Sequence, residues 1–163
     1  MDKNSLRTVY KSKLKSLTPQ EQVEYSNQIC QSLLKYFAFV RNKNILVYQP
    51  MKVEPDITNF IQGIATFNRI YFPDKGKLGI VSTSGEILDF ELLDYAIVPA
   101  LSVSRAGKRL GRGGGWYDRL LEKTTATSIS PVFDIQLAID LPEEGHDKRI
   151  DIIMTESNII NCR

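Results

Sequence analysis

Leu6, Val9, Tyr10, Leu14 and Leu17 recur at helical spacing, which predicts a first amphipathic helix over residues 3–16. Thr18-Pro19-Gln20-Glu21 reads as a capping box with proline at the first helical position, and Val23, Ile29, Leu33, Leu34 and Phe37 form the apolar face of the helix it opens. The pattern then changes to Ile45-Leu46-Val47-Tyr48, a short continuous apolar run ending at Gln49-Pro50. That is the mark of a central strand, buried on both faces, whose carboxyl end opens into a loop. Asp56 or Thr58 can cap a third helix carrying Phe60, Ile61 and Ile64 inward. Arg69 to Pro73 reads as a second strand, and Leu78–Ser82 and Glu86–Phe90, across Thr83-Ser84-Gly85, as a hairpin. Tyr95–Pro99, Val132–Ile139 and Ile150–Met154 complete the strands. Strands alternating with helices predict an α/β fold with a mostly parallel central sheet, covered by helices on both faces, and an antiparallel hairpin addition.

Composition adds limits more than direction. A chain of 163 residues, 42% apolar and 25% charged, suits a single domain over residues 1–163, with no repeat or low-complexity segment. A formal net charge of +2 is too small to argue for a general nucleic-acid or membrane surface. With no apolar stretch at the start and no run long enough for a bilayer, a cytoplasmic protein is the expectation. Cys30 and Cys162 lack metal-ligand spacing and read as two reduced thiols.

The chemistry concentrates at Arg109-Leu110-Gly111-Arg112-Gly113-Gly114-Gly115-Trp116-Tyr117-Asp118-Arg119. Clustered glycines let the backbone take positive φ and approach a ligand, free N–H groups point at negative charge, and Arg109 and Arg112 add cations. A helix opening near Trp116 puts Asp118 in its first turn, within reach of a Mg²⁺ that bridges the same phosphates. The plain alternatives stand beside this reading: a loop, and an acid that compensates a helix dipole. The stretch is neither the Walker pattern nor the dinucleotide fingerprint. On the first helix Lys3, Arg7 and Lys11 share a basic face, which by itself is most simply solvated.

These residues, preceded by Val98-Pro99-Ala100 and Gly107-Lys108, closely resemble the central motif of the 5-formyltetrahydrofolate cyclo-ligase family, also called methenyltetrahydrofolate synthetases. The resemblance continues at Lys3-Asn4-Ser5-Leu6-Arg7, at Tyr48 to Glu54 with Asp56, and at Leu141-Pro142-Glu143, His146-Asp147, Asp151 and Thr155-Glu156. It implies ATP- and Mg²⁺-dependent conversion of 5-formyltetrahydrofolate to 5,10-methenyltetrahydrofolate, with ADP and phosphate released. The formyl oxygen is phosphorylated and N10 then attacks the formyl carbon. In that assignment ATP is bound by Lys3, Arg7, Arg109, Gly111, Arg112, Gly113, Gly114, Gly115, Trp116 and Tyr117, with Arg112 and Tyr117 acting in catalysis. Tyr48, Glu54 and Trp116 meet the folate, and Asp118 and Asp151 hold Mg²⁺. Neither nucleic acid nor membrane is an expected partner, and a monomer is expected.

Without the resemblance, Glu54 is a solvated loop acid before Pro55, and Trp116-Tyr117 an aromatic pair that packs a helix inward. The chain departs from the family pattern where Trp116 replaces a usual Tyr, Ser104 a usual Asp and Val103 a usual Phe. The stretch from Phe72 to Asp94 is also shorter than usual. A catalytically silent folate- or nucleotide-binding protein of the same fold is the alternative function. An RNA-binding module using Arg105 to Arg119 ranks behind both, because its cations flank glycines instead of forming a track among aromatics.

Overall fold

The computed structural model describes residues 1–163. The first helix, α1 (Lys3–Lys15), starts at Asp2, whose carboxylate accepts the Ser5 N–H at 2.7 Å. Tyr10 and Leu14 are its buried anchors, while Val9 is exposed. The second, α2 (Pro19–Tyr36), is capped by the Thr18 hydroxyl, which accepts the Glu21 N–H at 3.1 Å. Only half of the reciprocal box forms. The Glu21 carboxylate accepts from the Thr18 hydroxyl at 3.0 Å instead of reaching back to a backbone N–H. Ile29, Leu33 and Phe37 are buried as expected, but Val23 is 63% exposed, because it overhangs a groove beside Met51 and Asn59 and meets no strand.

The strands β1 (Asn44–Leu46), β2 (Arg69–Asp74), β3 (Gly79–Ser82), β4 (Ile87–Leu88), β5 (Tyr95–Ile97), β8 (Thr127–Pro131), β10 (Ile152–Met154) and β11 (Ile159–Asn161) form one sheet. Its order is β11-β10-β8-β5-β1-β2-β3-β4. The five middle strands run parallel, and antiparallel pairings close both edges. Side chains alternate across it. Ile45, Val47 and Ile97 face α1, α2 and Phe60 and Ile64 of α3 (Thr58–Ala65), while Leu46, Ala96 and Val98 face Trp116, Tyr117 and Leu120 of α4 (Trp116–Glu122). Helices therefore lie on both faces, three against one. Asp56 satisfies the exposed start of α3 by accepting from the Thr58 N–H at 3.0 Å. No helix is long and apolar enough to cross a membrane.

Two departures matter for the site. The strand expected over Val132–Ile139 is instead β8, Thr127–Pro131, which alternates serines with its apolar residues. Ser128 and Ser130 are buried, and the Ser130 hydroxyl donates to the Val98 carbonyl at 2.7 Å. Beyond it the chain makes a short 3₁₀ turn, Asp134–Gln136, and leaves Ile139 in solvent. The second departure is a small sheet absent from the pattern reading, made of β6 (Ser102–Ser104), β7 (Arg109–Leu110) and β9 (Leu137–Ala138) in the order β7-β6-β9. It lifts the glycine-rich loop from the end of β5 and aims it across the carboxyl ends of the parallel strands.

Candidate active site

Those carboxyl ends surround one large cavity of about 700 Å³, where ligands bind in open α/β sheets. Lys3 and Arg7 enter its wall from α1, Glu54 from the loop after β1, Lys75 from the turn after β2, and Arg109 to Asp118 from β7, the glycine loop and α4. Gly113 has φ +111° and Gly115 φ +67°, conformations that L side chains rarely adopt. The N–H groups of Arg112, Gly113, Gly114 and Gly115 donate to no acceptor in the chain. Four free donors beside cations form an anion cradle.

Most of the cations in the wall have acceptors within the chain. Lys3 Nζ lies 2.6 Å from Asp147 and 3.4 Å from Glu144. Arg7 Nε donates to the Gly111 carbonyl at 2.9 Å, tying α1 to the loop. Arg109, with its side chain almost fully buried, donates to Asp118 at 3.1 Å and to the Pro99 carbonyl at 3.1 Å. Arg112 stands 3.6 Å from Glu54. Burial pushes the Glu54 carboxyl above its ordinary range, and the Arg112 guanidinium opposes that shift. One Glu54 oxygen has no hydrogen-bond partner, and the buried Trp116 Nε1 has none either. Burial, reinforced by the Glu54 charge, pushes the Tyr117 phenol far up, so it serves as a donor and not as a phenolate. Burial also works against ionisation of Asp147, but the Lys3 ammonium and the Glu144 N–H outweigh it and hold that carboxyl below its ordinary value.

A sequence model of the 5-formyltetrahydrofolate cyclo-ligase family matches residues 74–156, half of the chain. The chain belongs to this family. It is 45% identical to the 5-formyltetrahydrofolate cyclo-ligase of Mycolicibacterium smegmatis over 64 residues, which is 38% of this chain and 33% of that relative. With the Escherichia coli K12 cyclo-ligase it shares 25% identity over 173 residues, covering 89% of this chain and 95% of the relative. The fold matches that of the Aquifex aeolicus 5,10-methenyltetrahydrofolate synthetase with a TM-score of 0.88 at 24% identity, covering all of this chain and 94% of the other.

In this cyclo-ligase fold most of the residues expected at the site converge on the cavity: Lys3, Arg7, Glu54, Arg109, Gly111 to Tyr117, and Asp118. Two do not. Tyr48 is buried beneath the following loop, where its hydroxyl donates to the Pro55 carbonyl at 3.0 Å; it shapes the segment that carries Glu54 and does not line the cavity. Asp151 precedes β10, at the amino ends of the parallel strands. There its carboxylate accepts from the Ser128 N–H at 2.8 Å and pairs with Arg163 at 2.8 Å. Asp147 occupies the cavity wall instead, with Glu144 and His146 donor atoms within 4.8 Å of one another. Asp147 stood in the sequence within the His146-Asp147 block; nothing in the pattern distinguishes it from an aspartate four residues on. Lys75 gave no signal at all.

Proposed function

We propose that this protein converts 5-formyltetrahydrofolate to 5,10-methenyltetrahydrofolate at the expense of ATP, releasing ADP and phosphate. The observation that carries the reading is the division of one cavity. An anion cradle of free N–H groups with Lys3, Arg7 and Arg112 lies beside a buried carboxylate, Glu54, that has an oxygen free to accept. The cradle suits a triphosphate. A carboxylate in an aromatic-lined recess suits the pterin amino group and ring N–H, which donate together to two oxygens.

Phosphoryl transfer asks a protein mainly for positioning and charge neutralisation. The formyl oxygen takes the γ-phosphoryl group of ATP, and ADP leaves. N10 then attacks the activated carbon, gives up its proton, and phosphate departs as the ring closes. Arg112 sits between the cradle and Glu54, so it is placed to stabilise the charge on the transferring group. Tyr117, held protonated, donates a hydrogen bond to the same region. Hard oxygen donors fit Mg²⁺, and Asp118 with Asp147 would hold it on the cavity wall, where it would supply positive charge to offset that of the phosphates. Asp151, committed to Ser128 and Arg163, does not join that set.

The test is the absorbance of the methenyl product, followed with purified protein, ATP, Mg²⁺ and 5-formyltetrahydrofolate. Product should accumulate with equimolar ADP only when both substrates are present. Binding of both without turnover would replace this reading with that of a silent binding protein.

A further inference from the structure

The cavity wall holds five Lys and Arg side chains, and four of them have acceptors within the chain: Lys3 on Asp147, Arg7 on Gly111, Arg109 on Asp118 and Arg112 close to Glu54. Lys75 has none. It makes neither an ion pair nor a hydrogen bond, and its Nζ lies 5.9 Å from the centre of the Tyr117 ring. It is exposed at the tip of the turn joining β2 to β3, the segment that is short here. A free ammonium on the rim of a ligand cavity is a point charge without a partner.

Position along the sheet says which ligand it meets. In the order β10-β8-β5-β1-β2, Asp147 with Lys3 comes before β10, Pro99 and Ala100 follow β5, Glu54 follows β1, and Lys75 follows β2. Lys75 is therefore one strand beyond Glu54, on the side away from the Lys3–Asp147 pair. A ligand reaching it passes the pterin-accepting carboxylate and the Tyr117 ring. At neutral pH the anionic groups of a reduced folate are the carboxylates of its glutamyl tail. An exposed rim suits a tail that leaves the cavity toward solvent.

We propose that Lys75 is a specificity residue that binds a carboxylate of the substrate's glutamyl tail. This rests on reading the cavity as the folate and ATP site. The binding is a rim contact that adds affinity without touching the reacting atoms, and exposed ion pairs of this kind are worth up to about 1 kcal/mol, roughly a fivefold change in affinity.

The experiment compares Lys75→Met and Lys75→Arg with wild type on two probes, 5-formyltetrahydrofolate and the 5-formyltetrahydropteroyl amide, in which an uncharged carboxamide replaces the glutamate. Binding is read from the fluorescence of Trp116, the one tryptophan, and kinetics from product absorbance. Lys75→Met should weaken the folate about fivefold, in KM and in Kd alike, while the amide binds wild type and variant equally and Lys75→Arg restores the folate. Equal losses on both probes would place Lys75 against the pterin head and overturn the proposal. A selective rise in the KM for ATP would assign it to phosphate, and no change in any constant would leave it a solvated lysine; either result also overturns it. If wild type binds the folate but does not turn it over, the catalytic reading fails while the tail contact remains measurable by binding alone.

Discussion

At Glu54 the structure joins function to a cost in stability. Its folded pKa is raised above the ordinary 4.5 by burial, so the favourable contribution belongs to the protonated form. That contribution is fully present below the unfolded value and is lost as pH rises through the raised folded value. Glu54→Gln keeps size and removes the charge. Its Tm relative to wild type should therefore climb as pH is raised across that window, while its affinity for 5-formyltetrahydrofolate falls far more than its affinity for ATP. Thermal melts across the acid range and separate titrations of the two ligands check both halves; a Tm difference that stays flat with pH would remove the electrostatic explanation. The three aspartates divide in a similar way. Asp118→Asn and Asp147→Asn should each slow turnover by about two orders of magnitude, roughly 2.7 kcal/mol of barrier, with the fold intact. Asp151→Asn should instead lower Tm, by breaking the Ser128 and Arg163 contacts at a cost of about 1–3 kcal/mol, and leave kcat near wild type. Melts and rates measured on all three variants separate the roles, and loss of turnover in Asp151→Asn without loss of Tm would return that residue to the site.

At the scale of elements, α1 is held at two levels: Tyr10 and Leu14 anchor it in the core, while Lys3 and Arg7 pin its first turns to Asp147 and Gly111. Its amino-terminal half is tied mainly by Lys3 and Arg7, with Leu6 packed at the edge of the core, so on the proposed reading ATP phosphates can take over both cations without unpacking the helix. Deleting residues 1–7 should raise the KM for ATP about tenfold or more and change folate affinity by less than about twofold. Steady-state kinetics with each substrate varied in turn would show this, and an unchanged KM for ATP would return the basic face to solvent. The elements also show what a sequence displays. β1 was legible because Ile45 to Tyr48 are buried in succession, which leaves an unbroken apolar run. β8 was not, because its buried Ser128 and Ser130 satisfy their hydroxyls with Asp151 and Val98, and a polar residue with a partner in the core reads as surface. The strands of the small sheet, two or three residues each, are too short for any period to show.

For the whole molecule, the choice of residues at the site depended on strand direction. The glycine loop was readable because its own residue types suggest an anion cradle, whereas Lys3, Arg7 and Glu54 entered only through the family resemblance, since a basic helix face and a loop acid are by themselves most simply solvated. Asp151 and Asp147 are equivalent as text. Four residues of extended chain, about 13 Å, put one at the amino ends of the strands and the other at the cavity, and only the register of β10 against β8 decides which is which. Tyr48 is a parallel case: it is adjacent in sequence to the loop that carries Glu54 and turned beneath that loop in space.

The paired charges of the wall have a further consequence. Lys3 with Asp147 and Arg109 with Asp118 give the cavity its own counter-ion atmosphere, so on the proposed reading ligand entry is an exchange of partners. In that exchange phosphates would claim the cations, and the stranded carboxylates would need a positive replacement at the same moment. Free ATP brings none, whereas the magnesium complex carries one with it. The protein should therefore distinguish the two forms of the nucleotide already at the binding step, with Mg²⁺ acting on the Kd for ATP as well as on turnover. Calorimetry with and without the metal reads that difference directly, and equal affinities would mean that these carboxylates keep their cations throughout the cycle.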